Sequence, residues 1–171
     1  NSRSIAPIPD NGPEGEKGLS YSFVRKNALF ISLDPFVKDC RVSSYWMTTE
    51  IQESATKHVF VYSSLSAFFM KDKQSLATYP MLRDIFWNSM LKSDVPVYFG
   101  GNEKFYDRAW AYGTGSDAMH HVICGPAAAT PVKWNGVYQE KSLIEREAQD
   151  RKNNGYLLVT VYGSDARIEW K

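Results

Sequence analysis

The sequence predicts an α/β fold, and three observations carry that expectation. Short runs at 28–33, 57–62, 95–99 and 120–124 have the length, the β-favouring residues and the borders of strands. Two segments between them, near 43–51 and 78–93, combine helix start signals with apolar residues at helical spacing. The runs 58–62 and 95–99 are apolar almost throughout instead of alternating, as strands covered on both faces are.

A chain of 171 residues that is 43% hydrophobic is long enough for one domain with a real core and short for two. No stretch reaches the roughly 20 apolar residues that span a bilayer as a helix. Twenty Lys and Arg against nineteen Asp and Glu leave a formal charge of +1. Such a balance creates no field toward nucleic acid or an anionic membrane, so no nucleic-acid partner is expected. Cys40 and Cys124 are too few for a structural zinc site. They leave a single disulfide or two buried thiols, and the second is preferred because free cysteine is among the most buried residue types. The N-terminus has neither an initiating Met nor a basic region followed by an apolar run, so it is expected to begin as a processed product would.

Taken in order, residues 1–18 are rich in Pro and Gly and read as an extended or looped arm. Residues 28–33, bounded by Asn27 and by Asp34-Pro35, are a buried strand. Ser43 or Ser44 caps a helix carrying Trp46, Met47, Glu50 and Ile51. The strand 57–62 runs into a serine-rich turn of Ser63, Ser64 and Ser66. Thr78 and Pro80 start a second helix with Leu82, Ile85, Phe86 and Ser89 on one face, ending near Lys92 or Ser93. Strands at 95–99 and 120–124 follow. Residues 139–153 are mostly charged, with Leu143, Ile144 and Ala148 as their apolar grips, and predict a solvated loop or short surface helix. Two β-type runs joined by Gly163-Ser164-Asp165 predict a closing hairpin. No internal repeat occurs.

The stretch 95–108, VPVYFGGNEKFYDR, resembles the late metal-binding segment of calcineurin-like metallophosphoesterases, the superfamily that includes purple acid phosphatases. There a buried strand runs into Gly-His-x-His, then an aromatic and an arginine. Gly101, Phe105, Tyr106 and Arg108 keep that frame, whereas Asn102 and Lys104 stand at the two His positions. Tyr21-Ser22-Phe23 leading to a strand that ends at Asp34, the helix beginning near Trp46, and the small residues after Cys124 are similar to other parts of the same family. The strand 57–62 is similar to one that in the family leads into Gly-His-x-Pro, and Ser63, Ser64 and Ser66 stand in the Gly, ligand and Pro places. The resemblance begins near Pro9 and covers only the second half of the phosphoesterase domain. It implies the C-terminal half of a sandwich of mixed sheets flanked by helices, with 1–18 as an arm and 19–171 as the half-domain. The first-half motifs Asp-x-His, Gly-Asp and Gly-Asn-His do not occur.

The resemblance therefore implies a frame without its chemistry. Three ligand places hold Ser64, Asn102 and Lys104: a poor donor, a weak one and a cation without a lone pair. No catalytic residue, metal or cofactor is expected. His58 sits at a strand entry, and His120 and His121 are neighbours that point to opposite faces, so structural roles are expected for all three. The serines lack a nucleophile elbow and an evident His-acid partner. Gly100-Gly101-Asn102 reads as a tight turn before an anion cradle. Lys104 swings into solvent or stands in as a counter-ion, with Glu103 as an exposed neighbour. Tyr106, Trp110, Tyr112, Trp134 and Tyr138 fall in loop-like sequence, where such rings pack or anchor interfaces.

A half-domain of this kind would leave a sheet edge and an apolar face open to water. The expected protein is thus a non-catalytic binding or structural subunit, held against the first half of a precursor, another subunit or other copies of itself. The competing reading is a divergent metal-dependent phosphoesterase whose active site another chain completes. Family analogy points to an extracellular or lysosome-like compartment, and the sequence itself names none.

Overall fold

The computed structural model describes residues 7–68, 74–125, 130, 134 and 136–171. Four parallel strands form its centre: β2 (Ala28–Leu33), β3 (His58–Ser63), β4 (Val97–Gly100) and β6 (Ala118–Cys124). β1 (Tyr21–Arg25) adds antiparallel to β2 at one edge. β5 (Tyr106–Tyr112) adds antiparallel to β6, and β7 (Ile144–Asp150) to β5, giving the order β1-β2-β3-β4-β6-β5-β7. Helices α1 (Ser44–Glu53) and α2 (Pro80–Lys92) cover one face. The hairpin β8 (Leu157–Tyr162) and β9 (Asp165–Trp170) lies on the other. This is the mixed α/β architecture the sequence predicts.

Side-chain alternation splits the core in two. Leu29, Ile31, Leu33, Val61, Tyr98 and Ile123 point toward the helices, where Met47, Phe86, Trp87 and Met90 meet them. Ala28, Phe60, Val97, Tyr106 and Val122 point to the hairpin and pack against Leu157, Val159, Val161, Ile168 and Trp170. The central strands are therefore apolar on both faces because each face is lined by a layer.

α1 starts where predicted, with Met47 buried and Ile51 against the core, yet its N-cap Ser43 makes no side-chain bond to the helix. The Ser43 hydroxyl donates instead to Glu16 at 2.6 Å and accepts from Lys38 at 2.6 Å. Glu16, almost fully buried, also takes the Ser20 hydroxyl at 2.5 Å and the Lys38 ammonium at 2.6 Å. Burial pushes the Glu16 carboxyl up, but the bonds from Lys38, Ser20 and Ser43 outweigh it and hold the group below its ordinary value. Trp46 donates to Asn11 O at 3.2 Å, so the end of the Pro- and Gly-rich segment is stitched to the start of α1.

α2 has Pro80 in its first turn, as expected. Two expectations about it are corrected. Thr78 belongs to a short 3-10 turn, Leu76–Thr78, capped by Ser75, which accepts from Ala77 N–H at 3.1 Å, and Tyr79 precedes the helix without a side-chain cap. The buried face is Arg83, Phe86, Trp87 and Met90, while Leu82 and Ile85 are exposed. From this face Trp87 donates to Ala111 O at 3.2 Å.

The charged segment 139–153 contains no helix, and only its ends are loop. Residues 144–150 are strand β7, paired with β5 through a register shift at Arg108/Ala109. Its charges hid the strand because partners await them: Arg146 bonds Asp107, and Glu147 meets Arg108 at 3.0 Å and His120 at 3.2 Å. Likewise 106–112 is strand, with Ala109 and Ala111 fully buried, where loop-like sequence was expected.

Truncation should separate the two readings of α2. Phe86→Ala is expected to cost about 3–5 kcal/mol of unfolding free energy through lost burial and the cavity left behind. Ile85→Ala, on the exposed side, should stay within about 0.5 kcal/mol in the same urea titrations.

Candidate functional site

Three loops gather at the carboxyl ends of β3, β4 and β6, the position where open α/β sheets place their ligands. Glycine permits their close approach. A Cβ on Gly101 would stand 3.1 Å from Ser64 O, and one on Gly125 would overlap Glu103 O at 1.1 Å. Ser64, the Gly100-Gly101-Asn102 turn and Glu103-Lys104 are thereby brought to one rim. Asn102 takes a left-handed backbone with φ 68°, which asparagine tolerates better than most side chains. Gly100 ends β4 and packs closely on Leu65, Ser66 and Ile123, while Gly101 packs on Ser64.

Ser64, Asn102 and Lys104 are all exposed on this rim. A hydroxyl, an amide and an ammonium are a poor donor set for a transition-metal pair, and Lys104 would repel a cation placed beside it. The residues present do not fit the two-metal centre that the resemblance implies. Among the described residues, no three His, Cys, Asp or Glu side chains are grouped to hold an ion. Glu103 departs from expectation: it is buried, not an exposed neighbour of Lys104, and its charge helps raise the Tyr138 phenol.

Directly beneath the rim lies a polar chain that the sequence did not announce. His121 is fully buried, and its Nε2 accepts from Ala67 N–H at 3.1 Å. The ring proton is then on Nδ1, which faces the Tyr138 hydroxyl at 3.4 Å. Tyr138 donates to Asp107 Oδ2 at 2.5 Å, and Arg146 Nε donates to Asp107 Oδ1 at 2.8 Å. Phe68, Trp87, Tyr98 and Tyr138 surround the imidazole with centroids 5.4–6.1 Å away. Burial pushes the Asp107 carboxyl up, and Tyr138 and Arg146 offset this only in part. Arg83, buried over the Phe68 ring, reaches Asp84 at 2.7 Å and Glu140 at 2.9 Å. The alternation of buried and half-buried residues along 106–112 puts Asp107 inward, and that was the signal available for it.

The other candidates fall into place around this chain. His120 points to the opposite face, as adjacent strand residues must, stacking on Trp110 at 3.8 Å. His58 Nε2 donates to Gly163 O at 3.0 Å. Of the five aromatics considered for an interface, Tyr106, Trp134 and Tyr138 are buried in the chain's own core. Trp110 and Tyr112 lie half-buried on β5. Both cysteines are free, Cys40 buried and Cys124 only half-buried, because its side chain lies at the margin of the hairpin. Residues 126–129, part of the small-residue turn noted in the sequence, lie outside the described residues.

The buried imidazole makes stability depend on pH. Burial, aided by the Arg83 cation, holds His121 down at about 3, against 6.5 for a free histidine. The unfolded chain therefore takes up a proton that the folded chain refuses, and stability falls as pH drops from about 6.5 toward about 3. This residue should contribute a slope of up to about 1.4 kcal/mol per pH unit within that window. His121→Gln, which keeps an acceptor for Ala67 N–H, should flatten the dependence between pH 6 and 5 in urea unfolding. Equal slopes in the two proteins would contradict this assignment.

No protein-family model matches the sequence, and no curated protein is similar to it. Solved structures are similar in fold. A purple acid phosphatase, PPD1 from yellow lupin (Lupinus luteus) seeds, superposes with a TM-score of 0.73 at 12% identity, covering 93% of this chain and 31% of that one. GAP50, the anchor in the inner membrane complex of Plasmodium, gives 0.62 at 9% identity, covering 89% and 50%. PhoD gives 0.59 at 12% identity, covering 97% and 43%. The chain spans half or less of the length of each. At these identities the likeness concerns the fold: a seven-stranded mixed sheet with two helices, arranged as in a metallophosphoesterase-like sandwich.

Proposed function

We propose that this protein is a non-catalytic, phosphoesterase-derived binding or structural subunit that works against a second chain completing its fold. The observation that carries the reading is the chemistry of the rim at the ends of β3 and β4. A two-metal phosphoesterase clamps its substrate between ions about 3.5–4 Å apart and attacks with a metal-bound hydroxide. Ser64, Asn102 and Lys104 occupy the three ligand places that the family frame assigns to this half, and none of them serves as a strong ligand. Lys104 instead puts a positive charge at the rim.

The buried chain beneath adds support from the other direction. Asp107, Tyr138 and Arg146 bond one another, and His121 is held neutral inside an aromatic cage. A general base needs access to a substrate proton and a titration near the working pH, and His121 has neither. GAP50, described as an anchor, is a structural relative, and an anchoring role of that kind suits a chain whose frame persists without its ligands.

The test is metal analysis of the purified protein together with turnover of a generic aryl phosphate in manganese, zinc or iron. Substoichiometric metal and no turnover are expected. Ser64→His should not rescue activity, since an ion needs several ligands held together. Chelator-sensitive turnover restored by one of these metals would overturn the reading in favour of a divergent phosphoesterase.

A further inference from the structure

The hairpin covers only part of the sheet face on which it lies. Its base is fastened over the β6-β5-β7 side. Trp170 stacks on Tyr106 at 4.6 Å and donates to Asp150 at 3.3 Å, while Leu157 N–H meets the Cys124 sulfur. Its tip is fastened over the entries of β2 and β3, where Gly163 O accepts from Asn27 at 2.8 Å and from His58 at 3.0 Å. β8 thus begins over β6 and β9 ends over β5 and β7. The outer edge of β8 therefore looks along the sheet toward β4, β3, β2 and β1.

On that side the sheet presents a row of rings. Phe23, Phe30, Phe60 and Phe99 follow one another across β1 to β4 with centroids 5.0, 5.3 and 6.4 Å apart. Phe60 is buried, Phe30 and Phe99 are half-buried, and Phe23 is 40% exposed.

The register identifies what can complete this edge. Tyr156 and Lys171 exchange both backbone hydrogen bonds, at 3.1 and 3.0 Å. Antiparallel alternation then makes 158–169 and 160–167 bonded pairs and turns the N–H and C=O of Leu157, Val159 and Val161 outward. Among the described residues, nothing pairs with the outward groups of Val159 and Val161. The side chains of the same residues face the sheet and are only half-buried. An open row of backbone groups therefore stands beside open apolar surface, and a strand satisfies both at once where a helix satisfies only the second. At the tip end, Arg25, Lys26 and Lys57 are exposed and form no ion pair among the described residues.

We propose that β8 is a docking edge for an extended segment of a partner polypeptide, added as the third strand of the β8-β9 sheet. Its alternate residues are apolar and lie over the phenylalanine row, and its end near Arg25, Lys26 and Lys57 is acidic. This deepens the reading of the chain as a binding subunit and rests on it.

The probe is a pair of synthetic peptides of about nine residues, alternating Val and Thr, with two Glu at one end or the other, added at millimolar concentration. Amide exchange is followed by NMR. One peptide should slow exchange at Val159 and Val161 by at least about tenfold, leaving Leu158 and Thr160, already bonded within the hairpin, little changed. Val159→Pro should abolish the effect while preserving the Tyr106-Trp170 near-UV signal, because the lost N–H points away from β9. Replacing the Glu pair by Lys should weaken binding. The proposal is overturned if neither peptide protects these amides or if Val159→Pro binds as well as the parent. A dimer of the chain alone that Val159→Pro dissolves would also overturn it, showing β8 pairing with a second copy. Aryl phosphate turnover measured on the same samples would sink the non-catalytic reading while leaving the docking edge standing.

Discussion

A sheet whose central strands are apolar on both sides must be covered on both sides, and the rest of this molecule depends on that requirement. β2, β3 and β4 run parallel, so the two connections between them must pass over a face, and these carry α1 and α2. Their apolar residues close one side almost completely, from Met47 to Met90. Among the described residues, the opposite side receives two strands, whose inward residues remain half-buried. The two faces are thus covered unequally, closely by the helices and thinly by the hairpin.

The same parallel order delivers the ends of β3, β4 and β6 to one rim. In such a fold the chemistry is decided by what the loops carry, because the strands only bring loops together. Here the loops meet closely enough that Gly101 and Gly125 admit no side chain without displacing Ser64 or Glu103. Both glycines are packing residues, and a larger side chain at either would cost stability.

Buried polar groups do the remaining work of specification. Glu16 ties the N-terminal segment to Lys38 and Ser43 ahead of α1, and Asp107 ties β5 to β7 and to Tyr138. Each is a carboxylate taken from water and compensated by several donors, an arrangement that tolerates no partial loss. At Asp107 the donors offset burial only in part, and its carboxyl stays above its ordinary value.

Much of this was legible in the amino-acid sequence because it is local. The apolar runs, the Pro80 helix start, the closing hairpin and the opposite orientation of His120 and His121 follow from periodicity and turn chemistry alone. What only the tertiary structure decided involves residues whose behaviour depends on distant partners. β7 is a strand because β5 offers it an edge and because Asp107, Arg108 and His120 receive its charges. Arg83 displaces Leu82 and Ile85 from the buried face of α2 because Asp84, Glu140 and the Phe68 ring are there to hold its charge. Trp134 and Tyr138, loop residues by their neighbours in sequence, become core because Trp134 stacks on Phe105 and Tyr138 packs edge-on to His121. A periodic pattern reports what a residue would do against oil or water, and it is silent where the answer depends on a charge brought from elsewhere in the chain.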